Sequence, residues 1–231
     1  MPWSAAGTLQ DATVNALGTQ LSHDVWRVVD AALTYSQNGF WNGTSSATLD
    51  LAQGIPGLGA TPDGSPNLSR PNADTTFTKI TSTLRRVQGI YGPVSAAFIV
   101  QGQYAFQPIV VGEQISFGGG TNLIGRAYDP SAIAGDMGVG ASAELRYDFI
   151  IGDSWVQTIE PYGFYDTAKE WDHIANTGGG LWIASTGGGV RFSLKYNVNA
   201  DFEIGKTLHA VPGSDNGQTT TKFLFNAGIR F

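Results

Sequence analysis

The sequence contains no cysteine, only two methionines, and just 14% Asp, Glu, Lys and Arg together in 231 residues. Without cysteine there is neither a disulfide framework nor a thiolate metal site. The formal net charge of -6 argues against a nucleic-acid partner, because phosphate binding needs a basic surface. No apolar run approaches the roughly 20 residues that a membrane-spanning helix requires, so an α-helical membrane protein is excluded. A β-barrel is not, since its strands alternate and hide half their residues from any hydropathy average. The opening residues, Met1-Pro2-Trp3-Ser4-Ala5-Ala6, lack the basic region and apolar core of a signal peptide. The length suits one domain of ordinary size.

What is abundant is glycine, with 31 residues, beside an 11% aromatic share, a mixture that suits strands and turns. From Val139 to Phe149 the chain alternates: Val139, Ala141, Ala143, Leu145, Tyr147 and Phe149 point one way, and Gly140, Ser142, Glu144, Arg146 and Asp148 the other. An apolar face on lipid and a charged face on a watery lumen give this period of two. Similar alternation predicts strands over 23–36, 44–53, 75–87, 94–106, 155–166, 190–196, 198–208 and 222–231, about nine in all. Residues 1–22 show no clear period and stay unassigned beyond a partial strand. Asn38-Gly39 and Asn42-Gly43 mark a tight turn, and the proline- and glycine-rich stretch 54–72 marks a long loop. Glu160 beside Pro161 interrupts the pattern and predicts a bulge.

A second long loop, about 107–137, carries Gly118-Gly119-Gly120, then Gly125-Arg126-Ala127-Tyr128-Asp129-Pro130, then Gly135-Asp136, and feeds a strand containing Glu144-Leu145-Arg146-Tyr147. Farther on stands Pro161-Tyr162-Gly163-Phe164-Tyr165-Asp166. Together these resemble the sixth extracellular loop and neighbouring strands of two-partner secretion transporters, outer-membrane pores of the haemolysin secretion/activation type. They belong to a wider superfamily that includes barrel-assembly proteins. Gly102-Gln103 and the stretch Leu51 to Ala60 add to the likeness, which runs from about His23 to the end. The usual loop order is Arg-Gly-aromatic, whereas here Gly125 precedes Arg126.

The resemblance implies an all-β, antiparallel transmembrane β-barrel, of which this chain supplies the C-terminal part. Family members have sixteen strands preceded by two periplasmic domains, so the missing strands and domains, outer-membrane lipid and the barrel-assembly machinery are implied partners. It further implies that the loop folds into the barrel and is locked there by Arg126, Gly125, Tyr128 and Asp166, with Glu144 and Arg146 lining the lumen. A buried Arg126–Asp166 pair would cost on the order of 3–5 kcal/mol to break from one side. Phe223, Phe225, Ile229 and Phe231 resemble the C-terminal signal by which such barrels are inserted. The implied function is export of one large exoprotein across the bacterial outer membrane, with no cofactor, no nucleotide hydrolysis and no enzymatic activity. Lacking an export signal, the chain as written is expected to be a fragment or the product of a truncated gene.

Other readings carry their own expectations. An assembly factor of the same superfamily would have several periplasmic domains upstream. A small barrel enzyme would use Asp166 with Asp172-His173 as an acid–base group, and a soluble β-sandwich would disperse without detergent. His23, His173 and His209 lie far apart. Gly178 to Gly180 and Gly187 to Gly189 lack the strand, helix and lysine of a phosphate loop and read as turns. Trp41, Trp155 and Trp171, near strand ends, suit lipid-interface anchors.

Overall fold

Period two in sequence becomes period two in exposure. On the strand that ends at Tyr147, the apolar Val139, Leu145 and Tyr147 are exposed while Ser142 and Glu144 are buried. Apolar residues outside and polar residues inside is the arrangement of a membrane barrel wall. The same face carries exposed Leu33, Leu49, Leu51, Leu84, Val100, Phe202, Ile204, Phe223, Phe225 and Ile229. The computed structural model describes residues 3–16, 19–119, 124–152, 155–174 and 179–230.

In chain order the strands are β1 (Trp3–Ala16), β2 (Thr19–Asn38), β3 (Gly43–Gly54), β4 (Thr78–Tyr91), β5 (Val94–Ala105), β6 (Ile115–Phe117), β7 (Ile133–Gly135), β8 (Met137–Tyr147), β9 (Phe149–Ile150), β10 (Val156–Trp171), β11 (Trp182–Leu194), β12 (Val198–Thr207) and β13 (Thr221–Ile229). The long strands form one antiparallel meander in the order β1-β2-β3-β4-β5-β8-β10-β11-β12-β13, with β9 on β10, and β6 pairs β7 separately inside the loop. Each neighbour is next in sequence or separated only by short strands of one loop or turn, so the ladder needs no crossover. The connections 55–77, 106–136, 172–181 and 208–220 share one end of the sheet, and the short turns 39–42, 92–93 and 195–197 share the other. Outer-membrane barrels show this asymmetry, with the long loops outside the cell.

The sheet is curved but open: among the described residues β1 pairs only with β2, and β13 only with β12. Residues left unassigned by alternation build β1, which pairs with β2 from Trp3↔Leu33 to Ala16↔Thr19, with a bulge at Val14/Asn15. Small and polar residues such as Ala5, Ala6 and Gly7 carry too little hydrophobic contrast to mark a face. The expected irregularity at the start of β10 lies at Val156/Thr158, a few residues before Glu160. Phe231 lies outside the described residues.

One expectation is corrected. Gly187, Gly188 and Gly189 are not a turn; they sit in the middle of β11, opposite Phe164, Gly163 and Tyr162. An added Cβ at Gly187 would clash with the Ile204 carbonyl oxygen of β12 and lie 2.8 Å from the Phe164 ring, and one at Gly189 would lie 2.5 Å from Phe202 O and 2.6 Å from the Tyr162 hydroxyl. Glycine is therefore required by the close approach of the β12 backbone on one side and of rings from β10 on the other. The strand correspondingly begins at Trp182 and ends at Leu194, before Tyr196 takes a left-handed φ of 63°.

Replacing Gly187 with Val is expected to push Phe164 off its site and destabilise the inner-wall packing by about 1–3 kcal/mol. Urea unfolding of the detergent-solubilised protein measures this; an unchanged midpoint would contradict the close-approach explanation.

Candidate functional site

The loop between β5 and β8 lies against the inner wall, held by tethers along its length. Near its start Glu113 accepts from Trp26 Nε1 at 2.6 Å and pairs with Lys79 at 2.7 Å. Its middle is packed by Phe117, Ile124, Tyr128, Ala132 and Ile133 against Ala168, Ile183 and Val211 from the wall and a neighbouring loop. Gly118, with φ of 138°, has its amide on Ile124 O, and Gly119 N donates to Tyr128 O at 3.0 Å. An added Cβ at Gly118 would come within 2.8 Å of Ala132 N, so only glycine lets the loop double back this tightly.

That doubling aims Arg126 into the wall. Its Nε donates to Asp166 Oδ2 at 3.1 Å and its Nη2 to Asp166 Oδ1 at 3.2 Å, the paired-fork geometry that favours arginine over lysine. Nη1 reaches Glu144 Oε2 at 2.9 Å and Glu203 Oε2 at 3.2 Å, and Nη2 reaches Ser142 Oγ at 3.0 Å. The guanidinium lies 3.9 Å from the centre of the Phe164 ring, a cation–π contact. Three carboxylates from β8, β10 and β12 thus converge on one cation. Burial alone would lower the Arg126 pKa, but Asp166, Glu144 and Glu203 outweigh it and hold the value above the ordinary range; the guanidinium stays charged.

Asp166 is fully buried. Besides Arg126 it accepts from the amides of Gly125 and Arg126, each at 3.2 Å, and from Ser142 Oγ at 2.7 Å. Gly125 has φ of 79°, the left-handed conformation that turns two successive amides toward one oxygen. The order Gly125-Arg126 places the residue free of a Cβ where this turn needs it.

Tyr128 is buried two residues on. Its hydroxyl donates toward His209 O at 2.6 Å or Ala184 O at 2.8 Å and accepts from the amides of Ala184 and His209 at 3.2 Å. It stands between β11 and the chain leaving β12, a hydroxyl filling the gap in the backbone ladder. Burial pushes the phenol pKa up, so it remains a donor. Asp129 then pairs with Lys222 on β13 at 2.5 Å and accepts from Asp215 N at 3.0 Å. The hydrogen bonds of Lys222 and Asp215 hold its carboxyl below the usual range.

Glu144 and Arg146 share the face of β8 opposite exposed Leu145 and Tyr147, and Arg146 Nε donates to Glu144 Oε1 at 2.6 Å. Alternation puts the two on one face but does not mark Arg191 or Glu203 as members of the site. Arg191 touches Glu144, Glu160 and Asp201 and lies over the Tyr162 ring at 3.8 Å. Tyr162 in turn donates to Glu203 at 2.8 Å. The usable signal was the inward position of each charge on an alternating strand; which charges meet depends on strand order.

A second cluster closes the long-loop end. Arg70, from the loop after β3, forms a paired contact with Asp136 and reaches Asp172 Oδ1 at 2.8 Å and Ile109 O at 2.9 Å. Asp136 is fully buried and accepts also from the amides of Ile109 and His173. His173 Nε2 lies 2.9 Å from Ala105 O. Among the described residues no hydrogen bond joins His173 to Asp166. Trp41 and Trp155 are largely exposed on the short-turn side, and Trp171, half-buried, lies under Lys169 Nζ at 5.2 Å. The described residues contain no cluster of side chains suited to a metal ion.

The family described as haemolysin secretion/activation protein ShlB/FhaC/HecB matches residues 16–192. Among solved structures, CdiB from Escherichia coli superposes with a TM-score of 0.75 at 15% identity, covering 98% of this chain and 46% of that one. The chain therefore spans a little under half the length of that relative. No curated protein matches the sequence.

Proposed function

Because this chain belongs to the haemolysin secretion/activation family, we propose that it forms the C-terminal part of an outer-membrane pore that exports a large exoprotein in two-partner secretion. The β5–β8 loop is the plug of that pore, locked to the wall by Arg126. The observation that carries this reading is the convergence of Asp166, Glu144 and Glu203, from three strands, on the one arginine of an inward-folded loop. An open sheet in lipid leaves rows of unpaired backbone groups, each costing several kcal/mol. The conducting form is accordingly one in which further strands join β1 to β13.

Transport needs no chemistry from this chain. Its residues hold a plug through an apolar cluster and a set of polar and ionic contacts, and the polar and ionic ones exchange for water when a polypeptide enters the lumen. Single-channel recording of the complete outer-membrane protein tests this. Arg126→Ala leaves three mutually repelling carboxylates with no loop cation, and the open fraction is expected to rise at least tenfold. An unchanged open fraction in that variant, or failure of the wild type to export any co-expressed exoprotein, would count against the plug and the transport reading respectively.

A further inference from the structure

Resting on the plug reading above, we propose that Arg191 is a positioning residue that takes over Glu144 when the loop withdraws Arg126, so that plug release exchanges one cation for another. Glu144 Oε2 is shared: it accepts from Arg126 Nη1 at 2.9 Å and from Arg191 Nη2 at 3.1 Å. Arg191 Nη1 simultaneously holds Glu144 Oε1 at 2.7 Å, so Arg191 already spans both oxygens. Arg146 reaches only Oε1. Arg191 is fixed independently of the loop by Glu160 at 2.6 Å, Asp201 at 3.5 Å and the Tyr162 ring. It stays in place whether or not Arg126 is present.

The three carboxylates that receive Arg126 are thus unequal. Glu144 keeps Arg191 and Arg146 after release, and Glu203 keeps the Tyr162 hydroxyl. Asp166 keeps only Ser142 among the side chains that bond it. Leaving a buried charge without a partner is what makes breaking an ion pair expensive; here that penalty falls on Asp166 and Glu203, each left with a hydroxyl, and spares Glu144, which keeps two cations. Arg191 also repels Arg126 across the shared oxygen, which weakens the closed state. Removing its charge therefore deepens the negative potential at Arg126 and leaves Glu144 worse compensated after release. Both effects keep the plug in.

The sign separates this role from a structural one. Single-channel recordings of the complete protein are expected to show openings on the order of tenfold rarer in Arg191→Gln, the effect of one unit charge several ångströms away in a partly wet lumen. Arg191→Lys, which keeps the charge, restores them. Should Arg191→Gln fail to insert, Glu160→Gln serves instead: it frees Arg191 from a competing carboxylate, and openings become about threefold more frequent. If Arg191→Gln opens as often as wild type or more, or Glu160→Gln opens no more often, the exchange is overturned. A responsive Arg126→Ala beside an unresponsive Arg191→Gln removes the exchange alone. An unresponsive Arg126→Ala removes the plug reading and the exchange with it.

Discussion

Replacing Asp166 with Ala is expected to detach the β5–β8 loop from the wall while the barrel strands stay paired. Asp166 accepts from two loop amides, two nitrogens of Arg126 and the Ser142 hydroxyl. Without it, Arg126 sits in a buried site with its bidentate partner gone and two orphaned amides beside it. Breaking a buried pair from one side costs about 3–5 kcal/mol, enough to shift loop occupancy by a factor of roughly a hundred or more. The strand itself tolerates the change, because β10 is paired along its length with both β8 and β11. Amide hydrogen exchange reads the outcome directly. The Gly125 and Arg126 amides, which donate to Asp166, should exchange roughly a hundredfold faster, while amides in the β10–β11 ladder keep their protection. Equal protection of Gly125 and Arg126 in wild type and variant would show that the surrounding packing holds the loop. Asp166→Asn, which keeps one acceptor oxygen, should give a smaller effect.

Arg70→Ala is expected to open the clasp at the long-loop end. Asp136 is fully buried and Arg70 is its cationic partner; Asp172 shares that guanidinium. Removing Arg70 leaves a buried carboxylate beside a second one, again on the order of 3–5 kcal/mol. The 55–77 loop should then lose protection in hydrogen exchange, starting with the Asp74 amide that donates to Pro108 O at 2.8 Å. The same clasp carries a pH dependence of defined sign. Burial pushes the Asp136 carboxyl up, but the hydrogen bonds from Arg70 and from the His173 and Ile109 amides outweigh it and hold its pKa below the usual range. A group with a depressed folded pKa stabilises fully above its unfolded value, about 3.9, and loses that contribution as pH falls through the folded value. The clasp should be closed at neutral pH, begin to weaken below about pH 4, and open only as pH falls through the lower folded value of Asp136. In Arg70→Ala the loop should be open across the range. A wild-type loop equally protected at neutral and strongly acid pH would contradict this account.

The outward and inward faces of the strands were legible from sequence because the pleat makes facing a property of residues two apart. Val139 to Tyr147 declares its faces with no knowledge of its neighbours. β1 does not, since Ala5 to Gly7 offer little difference between faces, and its place comes from pairing with β2. The glycine triplet Gly187 to Gly189 illustrates the opposite failure. Three glycines satisfy every local criterion for a turn, yet they lie inside β11, where the Ile204 and Phe202 carbonyls of β12 and the Phe164 and Tyr162 rings of β10 occupy the space that side chains would fill.

The site divides in the same way. Sequence alone determined the alternating wall, the presence of a long glycine-rich loop bearing one arginine, and the family whose pattern Arg126 and Asp166 match. These are local facts, carried by period two and by short motifs. Only the tertiary structure decided that Arg126 meets Glu144, 18 residues away, and Glu203, 77 residues away, that Arg191 shares the same carboxylate, and that Arg70 closes over Asp136. Strand order and register bring β8, β10, β11 and β12 together, and a one-residue shift of β8, β10 or β12 would turn its carboxylate, Glu144, Asp166 or Glu203, to the lipid face. An isolated charge on an alternating strand tells which side it faces; its partner is chosen by the ladder.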